Sequence, residues 1–212
     1  MLPLVWSNRV LPGLQLDMRG RTAANVVFAS GYAAALGGRP HWLSPRGWRV
    51  GLAAAGITLA GYGAALAIPG LRERLAEIAD RAPEVSDAEW VLVHIPLGTV
   101  YSEEMIFRAT LSPLADETAG WFGKWLSAAV FGLWHIHPAR ASGDPVPGAV
   151  AATAAAGFVF DELGRRTGST TAPALLHLAV NAGGALTPPL ARLLTPAVEP
   201  DAAPHIPVPP PR

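Results

Sequence analysis

An all-α, polytopic integral membrane bundle of about six to eight transmembrane helices is the fold class that this sequence predicts, on three observations. Hydrophobic residues make up 50% of the chain and charged residues only 15%, where a soluble domain carries roughly 25% charged residues. Mean hydropathy is positive, at +0.29. The 22 Gly and 21 Pro are too many for an idealised soluble bundle, but both residues are commoner in membrane helices. Sixteen Lys+Arg balance 16 Asp+Glu, so there is no basic surplus to track phosphates and no nucleic-acid partner is expected. Cys is absent, which excludes disulfide scaffolds, thiol nucleophiles and Cys-ligated metal sites.

Residues 1–21 read as an N-terminal segment rather than a secretory signal, because Pro3, Pro12, Gly13, Asp17, Arg19 and Arg21 interrupt any apolar run. The transmembrane domain is placed at 22–187. Six stretches within it are judged against the ~20 residues that cross ~30 Å of hydrocarbon. The first, about 22–37, is short and Ala-rich, and the second, about 48–68, is the cleanest span. A connector over 72–89 alternates Arg, Glu and Asp at helical spacing and reads as a solvated or interfacial helix. The third span starts near Ala88 and runs into Tyr101-Ser102-Glu103-Glu104-Met105-Ile106-Phe107-Arg108. The fourth, fifth and sixth cover about 120–136, 147–163 and 172–186. From Pro188 onward nine of the last 25 residues are proline, which suits a disordered or polyproline II tail. Lys and Arg divide nine to seven between the two sides, a slight preference for a cytoplasmic N-terminus. Trp6, Trp42, Trp48, Trp90, Trp121 and Trp125 fall near span ends, as an aromatic belt would place them. The expected location is an integral membrane protein of the cell membrane, in contact with the lipid bilayer.

Ionisable residues inside apolar spans carry the functional signal, since each costs at least ~2.5 to 3.5 kcal/mol at the bilayer centre. Glu104 and Arg108 are four apart, share a helix face and can pair. Glu103 is turned about 100° from its neighbour, toward another part of the interior. His135 lies in the fourth span. His177 and Asn181, four apart in the sixth, present an imidazole and a carboxamide on one face. Gly157 and the Ala-rich fifth helix allow close helix approach. Glu103 falls at mid-span only if its helix continues to about Ala115, and Ser112-Pro113 is expected to bend that extension. Straight helices do not bring Glu103, His135 and His177 to one level.

A carboxylate, two imidazoles and an amide suit hydrolysis of a peptide bond, with a base for water and donors for an oxyanion. Glu103, His135 and His177 would equally provide two His and one Glu for zinc, leaving an open fourth position, and the residues alone do not separate the two. No His-Glu-x-x-His and no Gly-x-Ser-Gly occurs, and Asp161 has no partner Asp for an aspartyl dyad. Two further readings use the same residues differently. One is a non-enzymatic membrane protein, such as an immunity factor, permease or ion-binding subunit, in which the polar cluster only binds. The other is bis-His haem ligation by pairs such as His94 and His177. His94 is otherwise expected to form an interhelical hydrogen bond.

Glu103-Glu104-x-x-x-Arg108, Phe131-x-x-x-His135 and His177-x-x-x-Asn181, in that order on separate apolar helices, resemble the CPBP intramembrane protease family. This family includes type II CAAX prenyl endopeptidases and bacteriocin-processing or self-immunity proteins. Gly164-Arg165-Arg166-Thr167-Gly168-Ser169 is similar to its loop before the last motif, and Ala109 departs from the Gly that often follows the motif Arg. The resemblance covers about residues 89–187. It implies an endopeptidase acting on peptide or membrane-protein substrates, with C-terminal or leader peptides among the options. By the same resemblance Glu103 and His135 would activate water, His177 and Asn181 would stabilise the oxyanion, and Glu104 and Arg108 would hold the shape of the site. Family members are often labelled metalloproteases, so zinc stays open as a cofactor.

Overall fold

The computed structural model describes residues 2–79 and 84–195, and all regular structure among them is helical. Helix α1 (2–13) runs through Leu2–Val5, widens into i→i+5 turns over Trp6–Val10 and closes at Leu11–Gly13. Helix α2 is Met18–Ala35, started by Asp17, whose carboxylate accepts the Gly20 N–H at 2.7 Å. Helix α3 is Pro45–Ala67, capped by Ser44 with Pro45 in the first turn, where its missing N–H costs nothing. Helix α4, Pro69–Glu77, is the charged connector helix.

Helix α5 (87–119) starts at Ser86, whose hydroxyl accepts the Glu89 N–H, and carries Glu103 and Glu104 at its middle. It is continuous through Pro96 and Pro113, so the bend expected at Ser112-Pro113 does not interrupt it. Wide turns over Trp90–Tyr101 and Phe107–Leu111 flank the α-helical Ser102–Ile106. Pro113 has no N–H to offer the carbonyl of Ala109 four residues earlier. The backbone N–H of Arg39 takes that carbonyl instead, at 2.9 Å.

After a turn at Gly120–Phe122, helix α6 is Gly123–Trp134. At 1.5 Å per residue its 12 residues reach only about 18 Å, so the fourth apolar stretch is broken at His135 and resumes as α7, Ile136–Ser142. Helix α8 is Val146–Thr167 and α9 is Thr171–Leu194. The last helix runs beyond Pro188 to Leu194, past the point where the sequence suggests a tail; the remaining proline-rich residues, 196–212, lie outside the described residues.

Helices α3 and α8 are long and apolar enough to cross a membrane. Only 6% of the most apolar window of α3 is buried within the protein, and residues such as Ile57 and Leu59 face outward. A soluble core helix would bury them instead. Segments around 36–44, 109–123 and 164–171 gather at one end of the bundle, joined by contacts such as Thr170 N–H to His41 C=O and Arg165 to Asp116. The other end gathers 6–21, 84–98 and 133–146, joined by Arg19 to Glu89 and by Asn8 to His137.

Small residues set the helix spacing. A Cβ on Gly132 would meet the Val150 carbonyl at 2.6 Å, one on Gly51 would meet Ala172 Cα at 2.9 Å, and one on Gly183 would strike the Tyr62 ring. At Gly157 it would meet Phe131 carbons at 2.8 to 3.0 Å, and that ring is wedged among Phe107, Arg108 and His177. Gly157→Ala is therefore expected to lower stability by about 1 to 3 kcal/mol through overpacking. Gly61→Ala, where nothing lies within 4 Å, is expected to be neutral or stabilising. Thermal unfolding of the two variants in detergent checks the contrast, and equal melting points would refute it.

Candidate active site

The ionisable side chains that gather around Glu103 come from three places in the bundle: α5 with Glu103, Glu104 and Arg108, the α6 to α7 break with His135, and α9 with His177. The carboxylate of Glu103 is only 6% exposed. Its Oε1 accepts the indole N–H of Trp134 at 3.1 Å and lies 3.9 Å from His135 Nε2, while Oε2 lies 3.7 Å from His177 Nε2. Oε2 has no hydrogen-bond partner. Glu103 thus stands between two imidazoles, each facing a different oxygen.

Each ring is oriented by its other nitrogen. His135 Nδ1 lies 2.8 Å from the Phe131 carbonyl, an acceptor only, so the proton of the neutral ring sits on Nδ1 and Nε2 turns a lone pair to Glu103. His177 Nδ1 donates to Glu104 Oε1 at 2.9 Å, its ring stacks on Phe160 at 4.7 Å, and Nε2 again faces Glu103. Glu104 therefore positions His177 directly, in addition to pairing with Arg108 at 3.6 Å.

Beneath this layer Arg108 is held on several sides. It donates to the Gly157 carbonyl at 3.2 Å and reaches Asp161 at 3.3 Å. Its guanidinium lies over the Phe131 and Phe160 rings at 4.5 and 5.1 Å. Asp161 also accepts the Ser112 hydroxyl at 2.7 Å, and Ser112 in turn pairs with Ser127. A cavity of about 600 Å³ opens at the loop end of the bundle, with Arg39, His41, Arg108, Asp116, Asp161 and Arg165 in its wall. Glu103, His135 and His177 are not part of that wall.

Of the residues singled out in the sequence, the structure brings Glu103, Glu104, Arg108, His135 and His177 together. The break at His135 is what solves the problem of level, because the ring leaves a short helix instead of the end of a full span. Asn181 stands apart: its amide donates to the His177 carbonyl on its own helix at 3.1 Å and touches neither glutamate. The zinc reading does not fit this donor set. The carboxylate of Glu103 separates the two rings, and among the described residues no group of three or more His, Asp or Glu side chains is arranged to hold a metal. The haem pairing does not fit either, since both nitrogens of His94 are engaged, by Thr22 at 2.7 Å and Glu89 at 3.2 Å. That is the interhelical bonding expected of it.

Two participants escaped the sequence reading. Asp161 has no partner Asp for an aspartyl dyad, but an acid in an apolar helix calls for a cation partner, which is Arg108. Trp134 adjoins His135, and a buried indole N–H needs an acceptor; nothing local says that the acceptor is Glu103.

The fold and this cluster define the class: an all-helical protein with helices suited to a membrane and a buried carboxylate–imidazole site shared by three of them. Residues 86–183 match the family described as type II CAAX prenyl endopeptidase Rce1-like, and that match supports the resemblance to the CPBP family of membrane-embedded proteases. Every motif residue named above lies inside the matched segment. No curated protein and no solved structure matches the chain.

The ion pairs of Arg108 and Arg165 differ sharply in their environment. Arg108→Met would strand Glu104 and Asp161 as buried carboxylates and is expected to cost about 3 to 5 kcal/mol. Arg165→Met removes a pair with Asp116 whose side chains are 27% and 41% exposed and a looser 3.9 Å approach to Asp161, which keeps Arg108, and is expected to cost less, about 1 kcal/mol. Unfolding midpoints of the two variants should separate clearly; an Arg108 variant as stable as the wild type would show that the network carries little of the fold's stability.

Proposed function

We propose that this protein is a glutamate-dependent intramembrane endopeptidase that hydrolyses peptide bonds of membrane-associated substrates. The observation that carries the reading is the carboxylate of Glu103, buried between two imidazoles, with one oxygen unpartnered. A water held beside Glu103 and His135 Nε2 loses its proton to the carboxylate as it attacks the scissile carbonyl carbon. The Trp134 N–H keeps the carboxylate aimed during that step. Negative charge then develops on the carbonyl oxygen. His177 in its protonated form donates from Nε2 to this oxyanion while Glu104 holds its Nδ1–H. Asn181 has two amide hydrogens, of which the helix carbonyl takes one, so the second is free to donate beside His177. The proton taken up by Glu103 passes to the leaving amine as the C–N bond breaks, which returns the site to its starting state.

In this reading six helical crossings, α2, α3, α5, the broken α6 to α7 unit, α8 and α9, enclose the site within the bilayer. Substrates are peptides or membrane proteins with C-terminal or leader segments that reach this depth. The cell membrane is the proposed location.

The test is cleavage of a mixed quenched-fluorescent peptide pool by detergent-purified protein, comparing wild type with Glu103→Gln at matched thermal stability. Loss of the base is expected to lower cleavage by about 10² to 10⁴-fold, and a chelator is expected to leave the wild type active. Asn181→Ala should cost less than His177→Ala. Equal cleavage by wild type and Glu103→Gln would sink the proposal, and loss of activity in chelator would replace the carboxylate mechanism with a metal-assisted one.

A further inference from the structure

The groups that hold the His135 turn come from a part of the chain outside the family match. His135 has φ −89° and ψ 6°, the sparsely populated bridge conformation in which many active-site residues sit. On one side of it helix α6 ends, leaving carbonyls without intrahelical partners, and on the other α7 begins, leaving N–H groups in the same state. Two consecutive residues of α1 satisfy three of these groups. Ser7, 5% exposed, donates its hydroxyl to the Trp134 carbonyl at 2.6 Å. Asn8 donates its amide to the Leu133 carbonyl at 3.0 Å and accepts the His137 N–H on its own oxygen at 2.8 Å. A single carboxamide therefore bridges the two helices that flank His135.

Helix α1 is in turn tied to the helix that bears Glu103. Trp6 stacks on Phe28 at 4.3 Å and donates to Asn25 at 2.8 Å. Asn25 donates to the carbonyl of Gly98, five residues before Glu103, at 3.2 Å. These bonds form a brace from α5 through α2 and α1 to the His135 turn, in parallel with the 3.9 Å approach of Glu103 to His135. Gly98 is a close-approach position as well, since a Cβ there would meet the Thr22 hydroxyl at 2.7 Å.

We propose that α1 is a positioning clamp for the reaction, in which Ser7 and Asn8 fix the ring of His135 against Glu103. The proposal rests on the reading that Glu103 and His135 act together on water. Neither Ser7 nor Asn8 touches the reacting atoms. Their effect passes through the backbone of the turn, where a displacement of the ring by 1 Å is enough to lose much of the rate.

Two readouts test it on the full chain, with Asn8→Ala, Ser7→Ala and the conservative Ser7→Thr. The first is independent of any activity: ¹⁵N-histidine spectra of the protein in micelles, with the His135 ring signals assigned by their loss in His135→Gln. The clamp predicts that the His135 signals shift or split in Asn8→Ala and Ser7→Ala, that the His94 signals stay, and that Ser7→Thr behaves as wild type. The second readout is kinetic, at a temperature well below every melting point. A tenfold or larger fall in kcat with KM within twofold is expected for Asn8→Ala, with recovery in Ser7→Thr relative to Ser7→Ala. Unmoved His135 signals overturn the clamp, whether or not the protein cleaves. In a preparation whose cleavage depends on Glu103, an unchanged kcat also overturns it and leaves the protease reading standing. If the wild type cleaves nothing, the protease reading fails and the ring signals alone decide the clamp.

Discussion

Keeping Arg108 charged inside an apolar bundle is the constraint on which the rest of this structure depends. A guanidinium removed from water loses several kcal/mol of hydration, which only close partners on every side can offset. Here Glu104 and Asp161 supply charge, the Gly157 carbonyl accepts a hydrogen bond, and the Phe131 and Phe160 rings cover the planar faces. Each partner places a demand on the fold. The Gly157 carbonyl is reachable because α8 crosses close to Phe131, a contact that a side chain at 157 would obstruct. Asp161 must sit one turn further along the same helix, and Glu104 must lie one turn before Arg108 on α5.

The arrangement around Arg108 reaches the reactive layer through Glu104. That carboxylate is fully buried and shared between the arginine and His177, so fixing Arg108 also fixes the ring that faces Glu103. The wide turns of α5 belong to the same geometry. They flank the segment Ser102–Ile106 on both sides, and two hydroxyls follow the altered register, Ser102 bonding the Leu97 carbonyl and Thr110 the Met105 carbonyl, each five residues back. Interruptions of this kind recur at functional sites because they change which side chains share a face. Between them Glu103 and Glu104 keep the ordinary α-helical step of about 100°, which turns the two toward different partners.

The boundary of the family match at 86–183 separates two kinds of contribution. Inside it lie all the side chains that meet at Glu103. Outside it, α1 and α2 close the bundle on one flank, and α3 packs through Gly47 and Gly51 against Ser169 and Ala172 at the start of α9. The recognisable core is thus assembled against helices that carry no motif of the family, and the short α6 has its exposed carbonyls met from one of them.

Helical class, the apolar character of the spans and the pairing of Glu104 with Arg108 were legible along the chain, because each follows from local composition or from the 3.6-residue repeat. The ordered motifs were legible for the same reason, as short patterns on single helices. What the linear order could not show was which atoms face one another: that Trp134 donates to Glu103, that Asp161 completes the setting of Arg108, that Asn181 bonds back to its own helix, and that Glu103 divides the imidazoles instead of joining them around a metal. Those relations depend on helix rotation and crossing distance, which are set by close contacts such as Gly157 on Phe131 between residues far apart in sequence. The break at His135 was equally hidden. Its neighbours read as one apolar stretch, and hydrogen bonds brought from Ser7 and Asn8, 125 to 129 positions away, satisfy three of the groups that such a break exposes.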